Sequence, residues 1–228
     1  MKTRALIFDF DGLIIDTESP EFDVWQAIYR EHGQELDAKQ WGQIVGGYGI
    51  SDFDAAEHLA KIAGNGLDVE GLRARHRSES DALTLLQPIL PGVAVYLDEA
   101  RHLDLRLTIA SSSSHSWVDT HLARLGLAHH FEAVICADDV PPGRTKPNPD
   151  LFLKALKAVN VAADEAVVFE DSPNGVKAAR KAGIFVVSVP NPITALLKTD
   201  GANLTLASLA DIPLRELLVR VNEISAVK

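Results

Sequence analysis

The chain of 228 residues has one cysteine, no apolar run of 18 residues or more, and a shortage of positive charge. With a single thiol, Cys136, an internal disulfide is impossible. It sits in the apolar run AVICA and reads as an inert buried thiol, because a reactive cysteine needs an exposed, electropositive setting. Without a long apolar run there is no candidate membrane-spanning helix. The opening MKTRALIFDFDG reaches paired aspartates before a signal-peptide core could form, so a cytoplasmic protein is expected. Lysine and arginine number 22 against 32 aspartates and glutamates, a net charge of -10. That balance argues against a nucleic-acid binder, which needs a basic footprint for the phosphate backbone. No obligate protein partner is evident, and repeats and low-complexity linkers are absent.

What is present alternates. RALIF, LRLTIA, AVICA, AVVFE and IFVVSV read as strands, several too apolar to have a solvent face, and helix-like stretches separate them. This pattern predicts a parallel sheet covered by helices. Asn148 and Pro149 are expected to cap and begin one helix, with Leu151, Phe152, Ala155, Leu156 and Val159 as its apolar face. Ser172 and Pro173 repeat the device, and Gly183 can close that helix. Further helices are expected after Gly92, from about Trp117 to Leu125, and over PLRELLVRVNEI. Between Asp16 and Pro88 no strand is evident. Ser19 and Pro20 should start a helix there, with Phe22, Trp25, Ile28 and Tyr29 at helical spacing. The expected organisation is therefore a core of residues 1–16 and 88–228 with a helical insertion over 17–87. The insertion holds 13 acidic and 6 basic residues, so it carries most of the negative charge.

In a parallel sheet the carboxyl ends of the strands share one edge, where ligands bind. Asp9 and Asp11 follow the first strand, Ser111 and Ser112 the second, Lys146 lies in the loop after the third, and Glu170 and Asp171 end the fourth. Asp9 and Asp11 are two residues apart, on one side of an extended chain. Like charges so close repel, by about 4 kcal/mol at 4 Å with an effective dielectric near 20, so a shared proton or a cation is required. The oxygen-rich set suits Mg²⁺ holding a phosphate. Lys146, the Ser111 hydroxyl and the Ser112 amide are placed to neutralise and orient that phosphate.

Four separated motifs, DFDGLIIDT, IASSS, the lysine of TKPNPDLF, and FEDSPNG, stand in the order of a known family. The chain resembles the haloacid dehalogenase superfamily over nearly its whole length, and within it the phosphatases related to β-phosphoglucomutase that carry a small helical cap. The resemblance implies a Rossmann-like parallel-sheet core with an inserted helical cap. It implies Asp9 as phosphorylated nucleophile, Asp11 as general acid and base, and Ser111 and Lys146 as holders of the phosphoryl group. It also implies Mg²⁺ bound by Asp9, the main-chain carbonyl of Asp11, and Asp171, with Glu170 a ligand or one shell out. Asp16 and Thr17 would mark the exit towards the cap.

Plainer readings exist beside these. Asp9 and Asp11 can cap a turn before Gly12, Lys146 can be a solvated loop lysine, and Glu170 can be a structural partner for a neighbouring donor. Ser113, Ser114 and Ser116 are read as loop and cap residues. Arg73 and Arg77, one helical turn apart with Arg75 pointing elsewhere, could form a substrate clamp, but a solvated helix face is the favoured reading; Trp25 and Trp41 are read as cap core, and Gly46–Gly49 as either a substrate loop or a turn. His115 and Trp117 lie near the phosphate site without an assigned role. A phosphomutase is the nearest rival to a phosphatase. It is disfavoured because Glu21 stands where β-phosphoglucomutase has a histidine and because basic residues are missing around GGYGISDFD. A dehalogenase would not need Asp11 or the acidic pair, and a signalling receiver or silent binding module would have another motif order or an incomplete set of reacting groups. The acidic cap predicts small phosphate monoesters with neutral leaving groups, such as sugar or polyol phosphates.

Overall fold

A computed structural model describes residues 2–41, 53–64, 66–197 and 200–226. Six strands, β1 (Ala5–Phe8), β2 (Arg106–Ala110), β3 (Ala133–Ile135), β4 (Ala166–Glu170), β5 (Phe185–Ser188) and β6 (Leu204–Thr205), form one sheet in the order β3-β2-β1-β4-β5-β6, every pair parallel. The five expected strands are present, AVVFE in full and the other four shortened by one or two residues, and Cys136 lies just past β3. Its thiol is buried, and burial, with the nearby acidic residues, pushes its pKa up to about 12.

Alternation along the strands divides the core into two layers. Leu6 and Phe8 of β1 and Val167 and Phe169 of β4 face one side, while Ala5, Ile7, Ala166 and Val168 face the other. Helices α5 (Val93–His102), α6 (His115–Leu125) and α9 (Leu214–Ala226) cover the first side, and α7 (Asp150–Ala158) and α8 (Pro173–Lys181) the second. Buried apolar residues fill both faces of each central strand, which explains why these strands read as unbroken apolar runs.

Between β1 and α5 the chain makes only helices among the described residues: α1 (Glu18–Glu31), α2 (Ala38–Trp41), α3 (Ala55–Ala63) and α4 (Val69–Thr84). They form the inserted cap, with a hydrophobic cluster of their own that includes Val24, Trp25, Ile28, Tyr29, Trp41 and Leu59. Core residue Ile193 joins that cluster, so the cap rests on the loop after β5. The outgoing and returning chains meet where the Leu90 amide donates to the Ile14 carbonyl at 2.9 Å.

Two helix starts differ from expectation. Helix α1 begins at Glu18 rather than Ser19, because the Asp16 carboxylate accepts the Ser19 amide at 2.9 Å and satisfies the first turn from further upstream. Helix α7 begins at Asp150, since the Asn148 side chain turns back to donate to the carbonyls of Gly143 and Thr145 at 3.0 and 3.2 Å. Asn148 thus braces the loop that carries Lys146 instead of capping the helix. Ser172 does cap α8, accepting the Gly175 amide at 3.1 Å, and Gly183 adopts φ 76° just past its end. Residues Gly46–Gly49 lie outside the described residues.

Candidate active site

The sheet order reverses direction at β1, between β2 and β4, and the crevice at such a switch point is where parallel sheets bind ligands. Asp9 leaves β1 there, 6% exposed, and Glu170 and Asp171 leave β4, at 0% and 1%. Each of the three offers a carboxylate oxygen within 4.8 Å of the others. Lys146, also buried, lies between two of them: its Nζ is 2.6 Å from Asp9 Oδ1 and pairs with Glu170 Oε1. The solvated-loop reading of Lys146 is therefore wrong, because the braced loop drives it inward over the Phe152 ring. Glu170 is indeed a structural partner, since Lys146 and the Ser172 amide and hydroxyl occupy its oxygens. It is also part of the carboxylate cluster.

Three buried carboxylates against one ammonium leave negative charge uncompensated. Burial, then Glu170, pushes the Asp9 carboxyl up to about 7, against the pull of Lys146. Asp171 is driven well above the usual range by burial and by Glu18, Glu170 and Asp9. On Lys146 burial works to remove the proton, but the Asp9 and Glu170 charges outweigh it and hold the ammonium above its ordinary pKa. A set of hard oxygens with surplus negative charge fits Mg²⁺.

Asp11 is turned away from this cluster. Its Oδ2 accepts from Ser113 Oγ at 2.7 Å and Ser111 Oγ at 3.2 Å, and its Oδ1 from Trp117 Nε1 at 2.8 Å. Burial, then the Asp9 charge, raises its pKa despite these donors. The reading of Ser113 as a loop residue is corrected: its backbone turn, held by the Ser111 hydroxyl accepting the Ser113 amide at 3.0 Å, aims its hydroxyl at Asp11. Ser114 is a cap, as expected, of helix α6. Ser112, in the pocket wall, keeps a buried hydroxyl without a partner among the described residues.

Sequence reasoning passed over several residues. Asn191 Nδ2 contacts Asp171 Oδ2 at 2.9 Å and Glu18 Oε2 at 3.1 Å, joining the first residue of α1 to the carboxylate cluster. Asn191 follows β5, so the strand-end rule applied to that strand as well would have found it. Gly12, at φ 73°, makes the approach possible: a Cβ there would lie 2.3 Å from Asp171 Oδ2 and 2.6 Å from Glu18 Oε2. Trp117 carried no motif signal beyond its place in the first turn of α6.

A cavity of about 600 Å³ opens from Asp9, Asp11, Lys146 and Asp171 to the cap. The cap side includes Glu21, Trp25, Trp41, Arg73, Arg77 and Asp81. Trp25 and Trp41 belong to the cap core, as expected, and also line the cavity. The solvated-face reading of the arginines holds for Arg75, which pairs with Glu31 and Glu79, and for Arg77, which is exposed although it also borders the cavity. Arg73 and Arg77, one turn apart on α4, both border the cavity, Arg73 half-buried and Arg77 exposed. Arg73 is neutralised by Asp54, Glu57 and Glu70, whereas Arg77 pairs with no carboxylate among the described residues. Glu21 has a solvent-facing surface in the cavity but is crowded by protein, and burial with the Asp11 and Asp81 charges pushes it up to about 7.

The family model of haloacid dehalogenase-like hydrolases matches residues 6–189. The chain belongs to this family. The YhcW protein of Bacillus subtilis (strain 168) is 41% identical over 219 residues, 96% of this chain and 98% of the relative. The fructose-1-phosphate phosphatase YqaB of Escherichia coli (strain K12) is 32% identical over 82% of this chain and 97% of its own. The crystal structure of β-phosphoglucomutase from Clostridium difficile superposes with a TM-score of 0.71 at 23% identity, covering 99% of this chain and 100% of that one, a likeness of fold. As a member of this family, with phosphatases among its relatives, the chain is an enzyme of the phosphoric monoester hydrolase class. Among the described residues no helix is long and apolar enough to cross a membrane.

Proposed function

We propose that the enzyme is a Mg²⁺-dependent phosphatase that hydrolyses sugar or polyol monophosphates through a phosphorylated Asp9, with residues 17–87 as the cap over a core of 1–16 and 88–228. The observation that carries the reading is the buried Lys146 bridging Asp9 and Glu170 within a cluster of three buried carboxylates. Asp9, the Asp11 carbonyl and Asp171, with Glu170 beside them, would hold the metal. When bound, Mg²⁺ offsets the charge of the carboxylates and of the phosphate brought to them.

Asp9 Oδ1 is engaged by Lys146 and by the Phe10 amide at 2.7 Å, which leaves Oδ2 to attack phosphorus. The new O–P bond forms as the ester P–O bond breaks, and Asp11, whose pKa burial and the Asp9 charge raise, acts as the acid that passes a proton to the leaving oxygen. A water then attacks the phosphoryl group, giving its proton to Asp11 and freeing Asp9. Ser111, Ser112 and Lys146 orient the phosphoryl oxygens, the unpartnered Ser112 hydroxyl being a donor available for one of them.

The leaving group would lie against Glu21, Asp81 and Arg77, the cap charges left after Arg73 is neutralised. Carboxylates accept hydrogen bonds from hydroxyls and repel anions, which supports a neutral, hydroxyl-rich alcohol over a second phosphate or carboxylate. Phosphate release should require Mg²⁺ and be abolished in Asp9→Asn. With wild-type enzyme a polyol phosphate should exceed phosphoglycolate and a sugar bisphosphate in kcat/KM at both low and high salt. Turnover by purified Asp9→Asn would refute the mechanism. Isomerised sugar phosphate accumulating faster than inorganic phosphate would establish a mutase instead.

A further inference from the structure

The Asp11 carboxylate is gripped on both oxygens by donors from one short segment, the turn after β2 and the first turn of α6. The two grips differ in chemistry. Indole N–H donates and never accepts, so the oxygen it faces, Oδ1, is held as an acceptor. The hydroxyls of Ser113 and Ser111, which face Oδ2, can donate or accept. Oδ2 is therefore the oxygen that can carry a proton without losing its partners.

Trp117 is itself fixed. Its ring packs against His121 with centroids 4.4 Å apart, one turn along the same helix, and its amide is capped by Ser114. Trp117 also lines the cavity.

We propose that Trp117 is a positioning residue for Asp11: its indole N–H anchors Oδ1 and leaves Oδ2, beside Ser113, as the oxygen that exchanges a proton with the leaving group. The inference rests on the phosphatase reading above. In the step it serves, the proton moves from Asp11 Oδ2 to the ester oxygen as its P–O bond breaks, and Asp11 is left as a carboxylate facing the same three donors.

The consequence is selective. An alkyl leaving group needs that proton, whereas p-nitrophenolate departs without it. The measurement is kcat/KM of the Mg²⁺-loaded enzyme, which reports steps up to leaving-group departure, for glycerol phosphate and p-nitrophenyl phosphate. Trp117→Phe keeps the packed ring and removes the donor. It should lower kcat/KM on glycerol phosphate by about 10-fold to 100-fold, the scale of a lost hydrogen bond to a charged group, mainly through kcat with KM little moved. The loss on the aryl ester should be at least about 5-fold smaller. Ser113→Ala, which removes the strongest Oδ2 partner without touching the ring packing, should show the same bias and decides the matter should Trp117→Phe fold poorly. Equal losses on the two esters, or a loss confined to KM, would overturn the proposal. Wild-type enzyme releasing no phosphate from either ester in Mg²⁺ would instead refute the phosphatase reading on which it rests.

Discussion

Replacing Lys146 with methionine removes one charge from the buried site while keeping a stem of similar length over the Phe152 ring. In the wild type its ammonium is shared by Asp9, at 2.6 Å, and Glu170, and all three groups are less than a tenth exposed. Breaking a buried pair from one side costs about 3–5 kcal/mol, because the partner charge is left without compensation. In the variant the abandoned carboxylates must take up a proton to stay buried. The native state then holds more protons than the unfolded chain, so stability falls as pH rises, by about 1.4 kcal/mol per pH unit for each extra proton. Urea unfolding in a chelating buffer should show a loss of about 3–5 kcal/mol at pH 8 and a clearly smaller one at pH 5.5, with phosphatase activity lost at both. A loss below about 1 kcal/mol at pH 8, or one that is the same at the two pH values, would show that Lys146 does not compensate these carboxylates.

The metal-free wild type should itself lose stability between about pH 4 and pH 7. The Asp9 pKa is raised to about 7, so the folded state binds a proton that the unfolded chain has released. Asp9→Asn should flatten that slope and added Mg²⁺ should restore stability in the wild type; melting curves unchanged by either would contradict the assignment. Gly12→Ala would place a Cβ 2.3 Å from Asp171 Oδ2 at a φ of 73°, so both the backbone and the cluster must give. Calorimetric titration should show Mg²⁺ affinity reduced at least about 10-fold; wild-type affinity would mean that the crowding is relieved at no cost to the cluster.

The strand-end residues were legible because a parallel sheet has few options. Asp9, Ser111, Glu170 and Asp171 sit at the ends of runs that only a buried strand explains, and the sheet carries them to one edge. Lys146 was legible from its motif, although its burial depends on Asn148 bracing a loop, a use of asparagine that cap statistics read differently. Trp117 was given no role because its contact with Asp11 spans about a hundred residues of sequence, where spacing carries no information, whereas Asn191 was missed because the strand-end rule was not carried on to β5. That Arg73 and Arg77 border the cavity was hidden for another reason. Periodicity shows which residues share a helix face, but what lies opposite that face is decided by how α4 packs on α1. Strand β6, two residues long, is too short to carry a pattern.

The amide bond from Leu90 to Ile14 also bears on how the chain assembles. Strand β1 pairs with β2, yet the two are separated in sequence by the whole cap and helix α5. Closing a flexible loop of roughly 100 residues costs about 4 kcal/mol in chain entropy before the first sheet contact is rewarded. The cap helices make contacts of shorter range, and once they have packed, their two ends emerge side by side at Ile14 and Leu90. A cap formed early would bring β1 and β2 together with most of that entropy already spent. The element that shelters the chemistry in the finished enzyme then acts, during synthesis or refolding, as the clasp that lets the central strands find one another, and weakening it should slow folding more than it speeds unfolding.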